Sequence, residues 1–229
     1  MNANTAHPSL RLAAALLLVG HLLYIVVTQF HTGGDANNHQ AIFAAYAASE
    51  LWTAVHVGQF AAMAILLAGL LVLSLEVDAR DAGAMWAGRF AAAAAVAALT
   101  LYGGLQAVDG VANKQADIAW LHAPSGEQAA RFASAEAIRW IEWGLRSYHD
   151  YALGLAFLLV GLAILRAAWA PRLLGAFVAL SGIIYLVQGW VAGVQGFSPT
   201  QSVAIVLAWI VSLVWMIWLA VIARRLPAS

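Results

Sequence analysis

The sequence contains no cysteine. That single absence removes disulfides, iron–sulfur clusters, thiolate metal ligands and thiol redox chemistry, so any metal or haem would have to be held by His, Asp, Glu, Met or Tyr. Charge is scarce as well: only 10% of residues are Asp, Glu, Lys or Arg, and Lys+Arg 11 against Asp+Glu 11 leaves a formal net charge of zero. No global field therefore favours nucleic acid or an acidic partner, and any electrostatic function must be local. The common catalytic signatures are missing too: there is no H-E-x-x-H, no Gly-rich phosphate loop and no G-x-S-x-G.

What the chain has in abundance is apolar surface. With 63% hydrophobic residues and a mean hydropathy of +0.81, it exceeds what a water-soluble core and its polar shell allow. A bilayer core of roughly 30 Å takes about 20 helical residues, and six runs qualify: 12–30, 51–75, 90–108, 148–165, 173–194 and 203–223. The expectation is an all-α, polytopic integral membrane protein, a single six-helix domain over residues 1–229. The first run has no small-residue cleavage signature before "HTGGDANNH", so it is read as a retained helix rather than a signal peptide.

Basic residues set the orientation. Arg11, Arg80, Arg89, Arg166, Arg172, Arg224 and Arg225 fall on the face shared by both termini. The opposite loops hold only Lys114 and Arg131, with Arg139 and Arg146 at the entrance to the fourth span. Both termini are therefore expected to be cytoplasmic, in a plasma membrane that an alanine-rich composition assigns to a bacterium. Trp52, Trp140, Trp143 and Trp190 are expected at the outer interface, Trp86 and Trp169 at the inner one. The outer loop 109–137 reads as a short interfacial helix ended by Pro124, after which Ser125 and Gln128 resemble a capping box opening a helix that runs into the fourth span.

The polar residues concentrate in one half of this bundle. In "IRWIEWGLRSYHDY", the residues Arg139, Glu142, Arg146, His149 and Asp150, with Glu136 before them, share an arc of roughly 140° on one helix. A solvated stripe tied by Glu142–Arg146 and Arg146–Asp150 is the plain alternative. His21 lies about 13 Å from either end of the first span, near the midplane. His56 lies about 7 to 8 Å below the outer end of the second, one turn from Gln59. Gln106 and Asp109 end the third span, and Gln188 stands in the outer third of the fifth. Intramembrane ionisable groups default to a functional reading, and groups from five spans converge on the midplane and outer half.

The expectation is an outward-facing His/Arg/carboxylate pocket that binds or transforms a lipid-like or other amphipathic small molecule. His56, Glu142, His149 and Asp109 would supply proton transfer, and His21, Gln59, Gln106, Arg139, Arg146, Asp150 and Gln188 would bind. One alternative is haem or metal held by His21, His56 and His149. Another is a small transporter, proton relay or complex subunit, for which six spans are few unless a homo-oligomer compensates. The bilayer and a hydrophobic or amphipathic small molecule are the expected partners, without nucleic acid. Glycines at 175, 182, 189 and 196, and at 154 and 161, recur every seven residues; close helix packing is the favoured explanation, with a groove for a flat ligand as the other.

Overall fold

A computed structural model describes residues 6–76 and 81–226; Arg80 lies outside them. The described residues form α1 (Ala6–Thr28), α2 (His39–Ala48), α3 (Trp52–Leu75), α4 (Ala82–Ala107), a π-helical turn (Val108–Asn113), α5 (Lys114–Leu121), α6 (Gln128–Ile164), α7 (Arg172–Gln195) and α8 (Pro199–Arg225). Among the described residues, six helical stretches are long and apolar enough to cross a membrane. The chain is a multi-pass helical membrane protein in contact with the lipid bilayer.

Local chemistry sets the ends of these helices. Asp81 accepts from the Ala84 N–H to start α4 at 2.8 Å, Asn38 accepts from Ala41 to start α2, and Ser198 accepts from Gln201 to start α8. Pro199 follows Ser198 in the first turn of α8, where its missing N–H costs nothing. Helix α7 ends on Gly196, whose positive φ of 64° glycine adopts without strain.

Two connections differ from the sequence reading. The third span does not stop near 108 with a separate interfacial helix beyond it: α4, the π turn and α5 form one helical stretch, Ala82–Leu121. Nothing between Ala107 and Lys114 breaks a helix outright; Gly110 is tolerated, and the wider π turn absorbs an extra residue without ending the run. Pro124 does mark a real end, and α6 then runs unbroken for 37 residues into the membrane. Its cap is Glu127 without a side-chain hydrogen bond, so the Ser125 capping box does not form; the Pro124 carbonyl receives the Glu127 and Gln128 N–H groups instead.

Glycine packing joins the helices in pairs. A Cβ at Gly182 of α7 would stand 2.5 Å from the Leu158 nitrogen and 2.6 Å from the Gly154 carbonyl oxygen of α6. Gly69 of α3 meets the backbone of α1 in the same way, 2.7 Å from Leu17 N. The glycine stripe of α6 and α7 is thus filled by neighbouring backbone, which leaves no groove there for a flat ligand.

A second, smaller core caps the bundle. Ile42, Phe43 and Tyr46 of α2, a helix between the first two apolar runs, pack with Trp52, Trp120 and Ala135. Lys114 holds α2 in place by donating to the carbonyls of Tyr46, Ala47 and Ser49 at 2.7–2.8 Å, at the end of the helix where carbonyls lack their full intrahelical partners. Trp52 is consequently a core residue, 2% exposed, and not part of an interfacial belt; Trp140, Trp190 and Trp86 are exposed.

Candidate functional site

Beneath this cap lies a cavity of about 440 Å³ lined by residues of α1, the 29–38 loop, α2, α3, α4, the π turn, α6 and α8. Of the residues expected from the sequence, Gln59, Gln106, Asp109, Arg139, Glu142 and Arg146 line it. A second cavity of about 260 Å³ lies between α3 and α4, lined by His56, Val57, Phe60, Gly103, Val111 and others. Gln106 lines both. Val57, Phe60 and Val111 are exposed on the outside of the bundle, at 63%, 40% and 57%.

At the upper wall, three side chains that are far apart in sequence converge. His56 sits one turn after Trp52, and its Nδ1 is 2.7 Å from the Trp52 carbonyl oxygen. His31, on the loop after α1, has its Nδ1 3.0 Å from the Thr32 carbonyl oxygen. A carbonyl can only accept, so both rings carry their proton on Nδ1 and present Nε2. Both Nε2 atoms face Asp109: His56 at 3.0 Å and His31 at 4.0 Å from Oδ2. Despite its short distance, the His56 approach lacks hydrogen-bond geometry, and Nε2 is a buried atom without a hydrogen-bond partner. Asp109 itself is held from two sides: its carbonyl accepts from Trp52 Nε1 at 3.0 Å, and its Oδ1 from Asn113 Nδ2 at 3.3 Å.

Asn113 extends the network to the next carboxylate. The same Nδ2 donates to Glu142 Oε2 at 2.5 Å, which also accepts from Arg139 Nη1 at 2.6 Å. Arg139 is fully buried, its guanidinium lying over Tyr46 and Phe197 at 5.3 and 4.7 Å and donating to the Ala36 carbonyl. Glu142 therefore pairs with Arg139 in place of the expected Arg146. Burial lowers the His31 pKa below the ordinary imidazole value, with the Asp109 charge opposing this only in part. Burial also raises Tyr46 above the ordinary phenol value, so both are neutral near pH 7.

Deeper in the bundle is a second polar layer. Arg146 Nε lies 3.1 Å from Asp150 Oδ2, and Nη1 donates to the Tyr24 hydroxyl at 3.2 Å. Gln188 of α7 donates to the same Asp150 oxygen at 2.8 Å. The remaining two expected histidines go elsewhere. His21 Nε2 is 3.0 Å from the Trp209 carbonyl of α8, and His149 Nδ1 is 3.0 Å from the Ala98 carbonyl of α4. Both are buried ties between helices, so His21, His56 and His149 do not form one haem or metal ligand set. The group that converges is His31, His56 and Asp109.

His31, Tyr24, Tyr46 and Asn113 belong to the site but were not singled out from the sequence. His31 and Tyr46 carried a weak signal, an aromatic or titratable residue in a loop free of Lys and Arg; Asn113 became visible only once the π turn set its direction. These features define a multi-pass helical membrane protein with a buried His/Asp cluster. No protein-family model matches the chain, and no curated protein and no solved structure matches it.

Proposed function

We propose that the cavity binds an amphipathic, lipid-like small molecule and that the His31–His56–Asp109 cluster acts on its head group. The observation that carries this reading is that Gln106 lines both a cavity with several polar groups and an apolar one bordered by side chains exposed on the outside of the bundle. The larger volume is in the range of small-molecule pockets, which combine apolar walls with a few placed polar groups. A head group would sit beside Gln59, Gln106 and Asp109, and an apolar tail would leave past Gly103 and Phe60 into the bilayer.

Charge narrows the head group. Both guanidiniums already have internal carboxylates, Arg139 with Glu142 and Arg146 with Asp150. A neutral or zwitterionic head therefore fits better than a strongly anionic one, which would have to compete with those pairs. Arginines at the opposite end of the bundle, with Arg11 bonded to the Ala223 and Leu226 carbonyls, favour cytoplasmic termini and a cavity facing outward across a bacterial inner membrane.

The test is mass spectrometry of the gently purified protein. An amphipathic molecule retained by the wild type should be lost from Gly103→Trp, which fills the lateral opening, while the melting temperature holds. Equal retention by both proteins would refute the reading.

A further inference from the structure

We propose that His31 Nε2, His56 Nε2 and an Asp109 carboxylate oxygen bind a divalent first-row transition metal ion. The three ligand atoms lie within 4.8 Å of one another. In a tetrahedral site with bonds of about 2.0–2.1 Å, ligand atoms stand roughly 3.3 Å apart. The separations of 3.0 and 4.0 Å from Asp109 Oδ2 bracket that value. His31 stands on the loop between α1 and α2, where a small adjustment of chain or rotamer would close the longer one.

Ligand orientation supplies the second argument. A metal-bound imidazole almost always gives its other N–H to a carbonyl, carboxylate or water, which holds the tautomer and the ring plane. Both histidines meet that requirement, through the Trp52 and Thr32 carbonyls. The Asp109 carboxylate is braced likewise by Asn113.

The third argument is the orphan. His56 Nε2 is buried, makes no hydrogen bond, and yet lies 3.0 Å from a carboxylate oxygen. A buried nitrogen lone pair so close to a carboxylate oxygen needs a positive charge between or beside the two atoms. A proton on Nε2 would meet the charge requirement for His56 and Asp109 alone; a metal ion bound by all three groups would engage His31 Nε2 as well. Two nitrogens and one oxygen suit zinc, iron or manganese better than magnesium or calcium. Three protein ligands leave positions open, and His31 and Asp109 turn them toward the larger cavity. Metal binding at these atoms does not depend on the amphipathic ligand.

Cobalt(II) titration tests the site, because Co²⁺ reports its coordination by visible absorption. The full chain, purified in detergent without a histidine tag and freed of metal by chelator, should develop d–d bands that saturate at one Co²⁺ per chain and bleach when Zn²⁺ is added. His31→Ala and Asp109→Asn should each weaken Co²⁺ binding at least tenfold, with His122→Ala, at the exposed end of α5, as the unchanged control. His31→Ala guards against misfolding, since the residue lies outside the helices; a wild-type melting curve would certify it. No saturable band from the wild type would overturn the proposal, as would a band that survives both substitutions. The titration reads metal at these three side chains alone, so its failure leaves the cavity reading standing.

Discussion

Arg146 and Asp150 form an ion pair one helical turn apart, 3.1 Å between Nε and Oδ2, in which the carboxylate side chain is wholly buried and the guanidinium reaches the cavity wall. Removing one member of such a pair strands the other at a cost of about 3–5 kcal/mol. Arg146→Ala is expected to lower the melting temperature of the detergent-solubilised protein by several degrees, and adding Asp150→Asn should recover most of the loss. Arg146→Lys keeps the charge but loses the planar fork that joins Asp150 to the Tyr24 hydroxyl. It should melt near the wild type while retaining less ligand. A wild-type melting curve for Arg146→Ala would contradict the buried pair.

Helix pairing through glycine predicts opposite effects for one chemical change at two positions. Gly182→Ala drives a methyl group against the α6 backbone and should destabilise by about 1–3 kcal/mol, outweighing the gain in helix propensity. Gly144→Ala, also in a helix but with nothing within 4 Å of the added carbon, should stabilise by up to about 1 kcal/mol. Thermal melts of the two variants decide this directly, and equal shifts would mean that α6 and α7 are not in backbone contact.

Lys114 supports a whole helix from outside it. Charged hydrogen bonds are worth about 1.5–3 kcal/mol each at most, and three converge on the end of α2. Lys114→Met should therefore speed hydrogen exchange at the amides of α2 by tenfold or more while leaving α1 and α7 unaltered. A change spread evenly over the bundle would show that Lys114 serves some other purpose.

The absence of cysteine makes topology simple to test. Gly126→Cys and Ala168→Cys lie in exposed turns at opposite ends of the bundle. With cytoplasmic termini, an impermeant maleimide added to spheroplasts should label the first at once and the second only after lysis. The reverse order would turn the cavity toward the cytoplasm.

Much of the architecture was legible because the bilayer imposes it. Apolar runs of bilayer length identify spans whatever their neighbours do, and the long α6 followed from Pro124 and an uninterrupted pattern beyond it. The site was legible as a half of the bundle and not as a constellation. His21, His56 and His149 are alike in sequence, each an ionisable residue in an apolar run, and only the carbonyl that each ring faces separates the two helix ties from the His56 at the cluster. The third member of that cluster, His31, depended on α2 folding back over the bundle. Such a short helix of mixed residues is stabilised by tertiary contacts with Trp52, Trp120 and Lys114, which local pattern does not encode.

The π turn at Val108–Asn113 acts as a phase shifter in Ala82–Leu121, the longest helical stretch among the described residues. Relative to an α-helix it carries one surplus residue, and each residue of an α-helix advances by 100°. Deleting Ala112 would let α4 and α5 join in plain α-helical register and rotate everything above by about that angle. Lys114 would swing off the end of α2, and Trp120 would leave the small upper core, while the glycine-packed base of the bundle kept its contacts. One residue of surplus thus sets the rotational register between the membrane-embedded half of this helix and the half that closes over the cavity, so a single-codon change here would uncouple the lid from its pocket without touching a polar side chain of either.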